Sequence, residues 1–298
     1  MNIGKEITNG IQDNRNKIDL FLKVSQEKWR SRINHINGLK ELKNIPEDDL
    51  TFIFACAYAI EGQERILSLQ QIISDQQIHP SEKDVNLIWF KHSPYAVNKE
   101  EGRGRPSFSE LDLAFGNIKP CIGTESYISY GPKDTSNGWI CFVEMKILTD
   151  IDVKSTDNPN YNQLAKYIKN ALTIQKYGRT VEGKYPSEVH VSLITPKRFI
   201  DNKFSRLYGY KFEEYTSVNE INFIKRDIPN RINHENFNED WLDPMQQPDI
   251  DKRLKNLKLH WIPYENLLDN IPDSNLLKTH IDEIHAANPI FDKPSESK

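Results

Sequence analysis

An almost unbroken apolar run, Trp139–Leu148, constrains the fold more than any other segment of the chain. It has the length of a β-strand, and apolar residues on both faces are typical of a central strand that is covered on both sides. Glu144 and Lys146 are its only charged residues, and they project from one face because they are two positions apart. Burying them costs free energy unless they pair with each other or bind an ion. The run therefore predicts a buried strand with either a structural salt bridge or a functional charge pair.

A second strand pattern carries two more acids. Apolar and other residues alternate in 109–115, so Glu110 and Asp112 are expected to point the same way. The Glu-x-Lys tripeptide of Glu144 and Lys146 is not rare in this chain, because it also occurs at Glu41, Glu182 and Glu296. Those three copies lie in polar, turn-like or terminal surroundings. Only Glu144 and Lys146 interrupt a strand pattern and follow a strand that bears acids.

A helix and another strand are predicted after the turn-forming stretch 155–160. Apolar residues recur at helical spacing from Tyr161 to Leu172, which indicates an amphipathic helix. Gln163 and Tyr167 are four residues apart on a neighbouring stripe of that helix and can reach a common point. The apolar segment 188–195 then predicts a buried strand.

Taken together, these segments resemble the PD-(D/E)XK, or restriction-endonuclease-like, phosphodiesterases. The Gln-Leu-x-x-Tyr pattern of the helix resembles the RecB-like nucleases within that family, although this pattern also occurs on other amphipathic helices. The resemblance covers the middle of the chain and implies an α/β fold, with a central mixed β-sheet flanked by α-helices. The family core runs helix, three strands, helix, strand, and it would occupy 49–76, 85–97, 108–116, 139–148, 160–177 and 188–195.

The same resemblance implies three parts of the chain: an N-terminal helical addition at 1–45, a nuclease core at 46–200 and a C-terminal addition at 201–298 that packs on the core for recognition or dimerisation. An added helix within 5–38 and a late strand near 257–261, ended by Pro263, are expected from their apolar spacing. The stretch 117–138 is expected to make an excursion between two strands of the core.

The resemblance also implies roles for individual residues. Asp112 and Glu144 would be the metal-binding carboxylates, Lys146 the catalytic lysine, and Gln163 a residue that supports catalysis. Further metal ligands would be the Met145 carbonyl and Glu110, with Glu61 or Glu64 as an extra acid, and nucleic acid would contact Gln163 and Tyr167. The implied cofactor is Mg²⁺, a hard cation that prefers oxygen ligands, and Mn²⁺ is expected to substitute for it.

A basic tetrapeptide precedes the strand that bears Asp112. Arg103 and Arg105 lie in Arg-Gly-Arg-Pro, which resembles the core of an AT-hook that inserts into the minor groove of A·T-rich DNA. A flexible basic turn is the favoured alternative, since Glu100 and Glu101 come directly before it and the pattern occurs once. The position of the segment would allow a contact with the DNA backbone close to the predicted site.

Composition limits the remaining classes of function. A net charge of −4 and a pI of about 6.1 disfavour a protein that coats nucleic acid, although local basic segments can still line a groove. The apolar run 50–60 is too short to cross a bilayer, and the N-terminal residues lack a signal-peptide core, so a cytoplasmic protein is expected. Three cysteines without metal-ligand spacing predict neither a disulfide framework nor a zinc site.

The sequence thus predicts a Mg²⁺-dependent endodeoxyribonuclease that hydrolyses DNA phosphodiester bonds, as a type II restriction or phage-defence enzyme. A homodimer would place two sites on a symmetric duplex. One alternative is a RecB-like exonuclease or repair nuclease. Another is a non-catalytic nucleic-acid-binding or interaction subunit with a nuclease-like fold.

Overall fold

The computed structural model of the protein describes residues 3–78, 80, 87–94, 110–121, 126–131, 138–147, 149–151, 162–174, 186–228 and 250–288. Within these ranges the chain has an α/β fold in which a mixed eight-stranded sheet is flanked by helices. Among the helices of these ranges, none combines the length and the apolar character that crossing a membrane requires.

The elements follow one another along the chain with helices at both ends and strands in the middle. The α-helices are α1 (Ile3–Asp13), α2 (Arg15–Phe21), α3 (Gln26–Asn37), α4 (Glu47–Glu61), α5 (Gln63–Ile73), α6 (Gln163–Thr173), α7 (Lys197–Asp201), α8 (Leu207–Tyr215), α9 (Glu220–Asp227), α10 (Ile250–Lys255), α11 (Tyr264–Asp269) and α12 (Lys278–Ala287). The strands are β1 (Leu22–Lys23), β2 (Ile88–Pro94), β3 (Leu111–Gly116), β4 (Ile118–Pro120), β5 (Tyr127–Tyr130), β6 (Trp139–Met145), β7 (Glu188–Thr195) and β8 (Leu257–Pro263).

The sheet is organised around β2, β3, β6 and β7, which are neighbours in that order. β3 is antiparallel to both β2 and β6, whereas β6 and β7 are parallel. β8 extends the sheet beside β7 in parallel, and β1 and β5 both pair with β2 on its other side, with β4 beyond β5. Because β6, β7 and β8 run in the same direction, their carboxyl ends lie at the sheet edge where β3 begins.

The central strands are buried on both faces, as their apolar composition requires. On one face, residues such as Leu113 and Val143 pack against α1–α5, α11 and α12. On the other face, Ala114 and Phe142 pack against α6–α10. The segments before residue 46 and after residue 200 therefore share these two cores, and β8 contributes directly to the sheet.

Most of the predicted elements are present, and three differ in detail. The strands predicted near 85–97, 108–116, 139–148, 188–195 and 257–261 are confirmed. The single helix predicted over 49–76 is two helices, because Gly62, with φ 84° and ψ −160°, separates α4 from α5. The single N-terminal helix is three helices: α1 and α2 are separated at Asn14, and after α2 Leu22 and Lys23 leave the helical path to pair with β2. The excursion at 117–138 contains β4 and β5, which join the sheet.

Candidate active site

Two of the predicted acids meet at the sheet edge where β6 ends and β3 begins. The antiparallel register pairs Leu113 with Val143, which places Asp112 across from Glu144. Both side chains are buried, with 6% of Asp112 and 0% of Glu144 exposed. The pairing of β3 with β6 thus brings together two carboxylates that the sequence separates by the whole excursion at 117–138.

The Asp112 carboxylate is held from two sides. Its Oδ2 accepts a hydrogen bond of 2.7 Å from the Met145 backbone N–H, and its Oδ1 forms an ion pair with Lys91 of β2. The Lys91 Nζ also lies 2.7 Å from Oδ1 of Asp48, in the first turn of α4. The orientation of Asp112 is therefore fixed by three strands and a helix.

Glu144 is a buried carboxylate with few partners. Its Oε1 lies 3.0 Å from Lys146 Nζ, and the Tyr167 hydroxyl is close by, yet neither oxygen accepts a well-formed hydrogen bond from the described residues. Burial, reinforced by the charge of Asp112, raises the pKa of Glu144 from 4.5 to about 8 against the opposing effect of Lys146. A further cation that approaches this carboxylate would therefore stabilise its ionised form.

Lys146 links Glu144 to an acid that the sequence did not single out. Its Nζ lies 3.3 Å from Oε1 of Glu47, the first residue of α4. The second oxygen of Glu47 accepts a hydrogen bond of 2.8 Å from the Ile147 backbone N–H. Although burial opposes its charge, the two glutamates raise the pKa of Lys146 above its ordinary value, so that the side chain stays protonated.

The extra acid was expected at Glu61 or Glu64, and the structure places both elsewhere. Glu61 ends α4, about 21 Å along the helix axis from Glu47. Its carboxylate accepts a hydrogen bond from Asn275 at 2.7 Å, and Glu64 is exposed at the start of α5. The available signal was the acidic cluster directly after Pro46, which is typical of a helix N-terminus.

The third acid of the first turn of α4 is paired separately. Asp49 is fully buried and accepts a hydrogen bond of 2.9 Å from Arg32. Arg32 lies farther from Asp48, at 3.6 Å. The Arg32–Asp49 pair therefore has no net charge, and Lys91 is the closer cation for Asp48.

Tyr167 supports the strand that carries Asp112. It is 1% exposed, and its hydroxyl accepts a hydrogen bond of 2.9 Å from the Asp112 N–H and donates one of 3.3 Å to the Glu110 carbonyl. The residue was expected to contact nucleic acid, but it lies inside the protein, behind the site. Its contribution in this structure is to fix the start of β3.

Replacing Tyr167 with phenylalanine is expected to lower the free energy of unfolding by about 1–3 kcal/mol, because the Asp112 N–H loses its partner in a buried place. Urea denaturation of the two proteins measures the difference. The matched control is Tyr210→Phe, whose ring is 53% exposed, and which is expected to change stability by less than about 0.5 kcal/mol. Equal effects of the two substitutions would contradict the supporting role of Tyr167.

Gln163 lies one turn before Tyr167, at the first position of α6. The helix begins there because Asn162 caps it, accepting a hydrogen bond of 3.0 Å from the Ala165 N–H. The Gln163 Oε1 is buried and has no hydrogen-bond partner among the residues that the structure describes. This oxygen is therefore an acceptor whose partner is not among the described residues.

The other predicted site residues have different positions. Glu110 lies one residue before the start of β3, and its half-exposed carboxylate forms an ion pair of 2.7 Å with Lys28 of α3. The Met145 N–H holds Asp112, and the role of its carbonyl as a metal ligand stays a prediction. The predicted contacts of Arg103 and Arg105 lie outside the described residues.

The charges at this edge do not balance. Among the residues that the structure describes, ion pairs join four carboxylates and two ammonium groups there, namely Glu47, Asp48, Asp112 and Glu144 with Lys91 and Lys146. The neighbouring Arg32–Asp49 pair adds no net charge. The excess of negative charge equals the charge of one divalent cation when all four acids are ionised. The few bonds made by the Glu144 oxygens place this excess beside Glu144.

The donor set suits one kind of cation. Mg²⁺ commonly uses one or two carboxylates and completes its octahedron with water and substrate phosphate oxygens. Within the described ranges, no group of three or more His, Cys, Asp or Glu side chains is arranged to hold a metal ion. Asp112 and Glu144 are thus two carboxylates, a number that Mg²⁺ takes from a protein when water and phosphate complete its ligands.

No family model, curated protein or solved structure matches the chain.

Proposed function

We propose that this chain is a Mg²⁺-dependent endodeoxyribonuclease of the PD-(D/E)XK type, which hydrolyses phosphodiester bonds in DNA. The observation that carries the proposal is the meeting of Asp112, Glu144 and Lys146 at one sheet edge. Their order along the chain resembles the acid, acid and lysine of that family, and Lys146 Nζ is 3.0 Å from Glu144 Oε1. Ion pairs with Lys146 and Lys91 account for one negative charge each, and a cation at the edge would balance the charge that remains.

The order and direction of the elements support the same proposal. α4 and α5 precede β2, β3 and β6, which are antiparallel neighbours, and α6 then leads to β7, parallel to β6. This sequence of elements resembles the helix, three strands, helix and strand of the restriction-endonuclease-like core. α6 begins with Gln163 and carries Tyr167, as the RecB-like helix pattern implies.

The residues of the edge have separate tasks in this proposal. Asp112 and Glu144 would hold Mg²⁺, or Mn²⁺ in its place, which supplies polarisation of a phosphoryl oxygen and activation of a water molecule. Lys146, fixed between Glu144 and Glu47, offsets negative charge that develops on the scissile phosphate. Because the pKa of Glu144 is about 8, this residue releases a proton at neutral pH when it takes up a cation.

A basic and aromatic surface after β7 supports nucleic acid as the substrate. Phe204 and Tyr210 are 49% and 53% exposed, and their ring centroids are 4.9 Å apart. The Lys203 ammonium lies 5.0 Å from the Phe204 ring and pairs with Glu213 at 2.6 Å, and the Arg206 guanidinium lies 4.9 Å from the Phe199 ring. Aromatic side chains stack on unpaired bases while lysine and arginine bind the phosphates between them.

This surface is attached to the loop that follows Lys146. The Asp150 carboxylate accepts hydrogen bonds from the backbone N–H groups of Leu207, at 2.7 Å, and Tyr208, at 3.3 Å. These bonds hold the start of α8 against Asp150, which lies four residues after Lys146 in the chain.

Within this proposal, the preferred role is a type II restriction or phage-defence endonuclease that acts in the cytoplasm as a homodimer. The second candidate is a RecB-like exonuclease or repair nuclease, favoured by the Gln163 and Tyr167 pattern. Covalently closed DNA distinguishes the two, because an end-dependent enzyme leaves it intact.

Agarose-gel cleavage of supercoiled plasmid and linear genomic DNA with Mg²⁺, Mn²⁺ or EDTA tests the function. We expect the plasmid to be cut in Mg²⁺ and in Mn²⁺ and to stay intact in EDTA. Degradation of linear DNA alone would establish the exonuclease. A gel shift in Mg²⁺ without any product would establish a non-catalytic binding protein, and cleavage that persists in EDTA would contradict the metal-dependent site.

A further inference from the structure

Lys91 is a charged residue of this edge that the predicted motif does not include. It lies in β2 with a φ of 52°, in the left-handed region that a residue with a side chain adopts rarely. Such a conformation is unfavourable and persists where the surrounding contacts determine it. The contacts of Lys91 therefore account for this conformation.

Two groups of contacts hold Lys91 in this conformation. Its carbonyl oxygen accepts a hydrogen bond from the Lys28 ammonium, which also pairs with Glu110 at 2.7 Å. Its own ammonium lies between Asp112 Oδ1 and Asp48 Oδ1. The left-handed turn of the backbone and the bridge between the two acids thus occur at the same residue.

The ammonium group is largely shielded from water, since 15% of the side chain is exposed. Its Nζ lies 2.7 Å from Asp48 Oδ1 and pairs with Asp112 Oδ1, so this positive charge is held between two carboxylates that belong to different elements, α4 and β3.

A second metal ion would need the position that the Lys91 ammonium occupies between Asp112 and Asp48. Enzymes with two catalytic ions hold them roughly 3.5–4 Å apart, so the second ion must lie close to the ligands of the first. The two oxygens of Asp112 have different neighbours: Oδ2 accepts a hydrogen bond from the Met145 N–H on the β6 side, and Oδ1 pairs with Lys91. Asp48 is the next acid beyond it, and Lys91 already bridges these two.

We propose that Lys91 takes the place of a second metal ion, so that the site holds one divalent cation, next to Glu144. The proposal rests on the proposed function, because the cation that it limits is the cofactor of that reaction. Lys91 is a positioning residue in this arrangement: it keeps the Oδ1 side of Asp112 neutralised and leaves the Glu144 side for the ion. The charge excess of the edge, equal to one divalent cation, agrees with this count.

Counting bound Mn²⁺ by electron paramagnetic resonance, without nucleic acid, tests the proposal through binding alone. The native chain is expected to bind one Mn²⁺, and Glu144→Gln is expected to lose it. Lys91→Met removes the charge at similar side-chain length and is expected to bind two ions, whereas Lys91→Arg keeps the charge and is expected to bind one. Circular dichroism establishes that each variant is folded.

The outcomes separate this proposal from the proposed function. Two ions in the native chain, or one ion of unchanged affinity in folded Lys91→Met, would overturn the role of Lys91 and leave a metal-dependent nuclease in place. No bound ion in the native chain would overturn both. If Lys91→Met does not fold, Lys91→Gln decides: two bound Mn²⁺ are expected, and one ion with the native affinity would overturn the role of Lys91.

Discussion

Replacing Lys146 with alanine is expected to reduce Mg²⁺-dependent DNA cleavage at least about 100-fold, the usual loss when a group that stabilises transition-state charge is removed. The Lys146 ammonium lies 3.0 Å from Glu144 and 3.3 Å from Glu47, and an alanine side chain supplies no positive charge at that position. Glu144→Ala is expected to cause a similar loss, because it removes a ligand of the cation. Initial rates of plasmid nicking at saturating Mg²⁺ measure both effects.

The chain itself offers a matched control for this experiment. Glu41 and Lys43 form the same Glu-x-Lys tripeptide with an ion pair of 3.2 Å, but both side chains are more than half exposed. Lys43→Ala is expected to leave the cleavage rate within about twofold of the native rate, since an exposed pair contributes little. Equal rates for native protein, Lys43→Ala and Lys146→Ala would reject the assignment of the site.

Loss of the fold is a separate explanation of a low rate, and the structure limits it. Removing one member of a buried ion pair destabilises a protein because the other charge is left alone. In Lys146→Ala, Glu144 avoids this cost by keeping its proton, since the pKa of Glu144 is already raised to about 8 with Lys146 present. Thermal unfolding of the variant is therefore expected to remain cooperative, which separates lost chemistry from lost structure.

The strands of the centre were predictable from local pattern. β6 is an apolar run, and β3 alternates, so both strands and the common face of Glu144 and Lys146 follow from period and burial alone. The meeting of Asp112 with Glu144 does not follow from local pattern, because it depends on the pairing of β3 with β6 across the excursion at 117–138. The family resemblance supplied this expectation.

The residues that sequence reasoning missed reach the site over long separations. Glu47 meets Lys146 across 99 positions, and a helical pattern alone does not tell which end of α4 faces the sheet edge. Lys91 was missed for a different reason, because no residue propensity predicts a left-handed lysine inside a strand. Glu110 was expected beside Asp112 from strict alternation, which fails where β3 begins one residue later.

The buried position of Glu144 predicts a second large effect, on stability as a function of pH. Its pKa is about 8 in the folded protein and 4.5 ordinarily, because burial and then Asp112 disfavour its charge. Between these values the folded state keeps a proton that the unfolded state releases. Its contribution to the free energy of unfolding therefore falls by about 1.4 kcal/mol per pH unit as the pH rises toward 8.

Glu144→Gln removes this contribution and nearly keeps the shape of the side chain. In EDTA, urea denaturation is expected to show that the variant gains stability over the native protein as the pH rises from 6.5 to 8. His190 and His260, whose pKa values are lowered to about 4 by burial, act with the opposite sign between about pH 4 and 6.5. Both proteins contain these histidines, so their effect cancels in the difference.

Magnesium is expected to reverse the order of the two proteins at pH 8. A ligand that binds only the folded state stabilises it by mass action, and a cation at Asp112 and Glu144 competes with the Glu144 proton. The native protein should therefore gain stability from Mg²⁺ at pH 8 and less at pH 6.5, while Glu144→Gln gains little at either pH. Parallel curves for the two proteins with and without Mg²⁺ would mean that Glu144 neither titrates in this range nor holds the cation. Stabilisation of the native protein alone, growing with pH, would tie the charge of Glu144 to metal binding without any reference to cleavage.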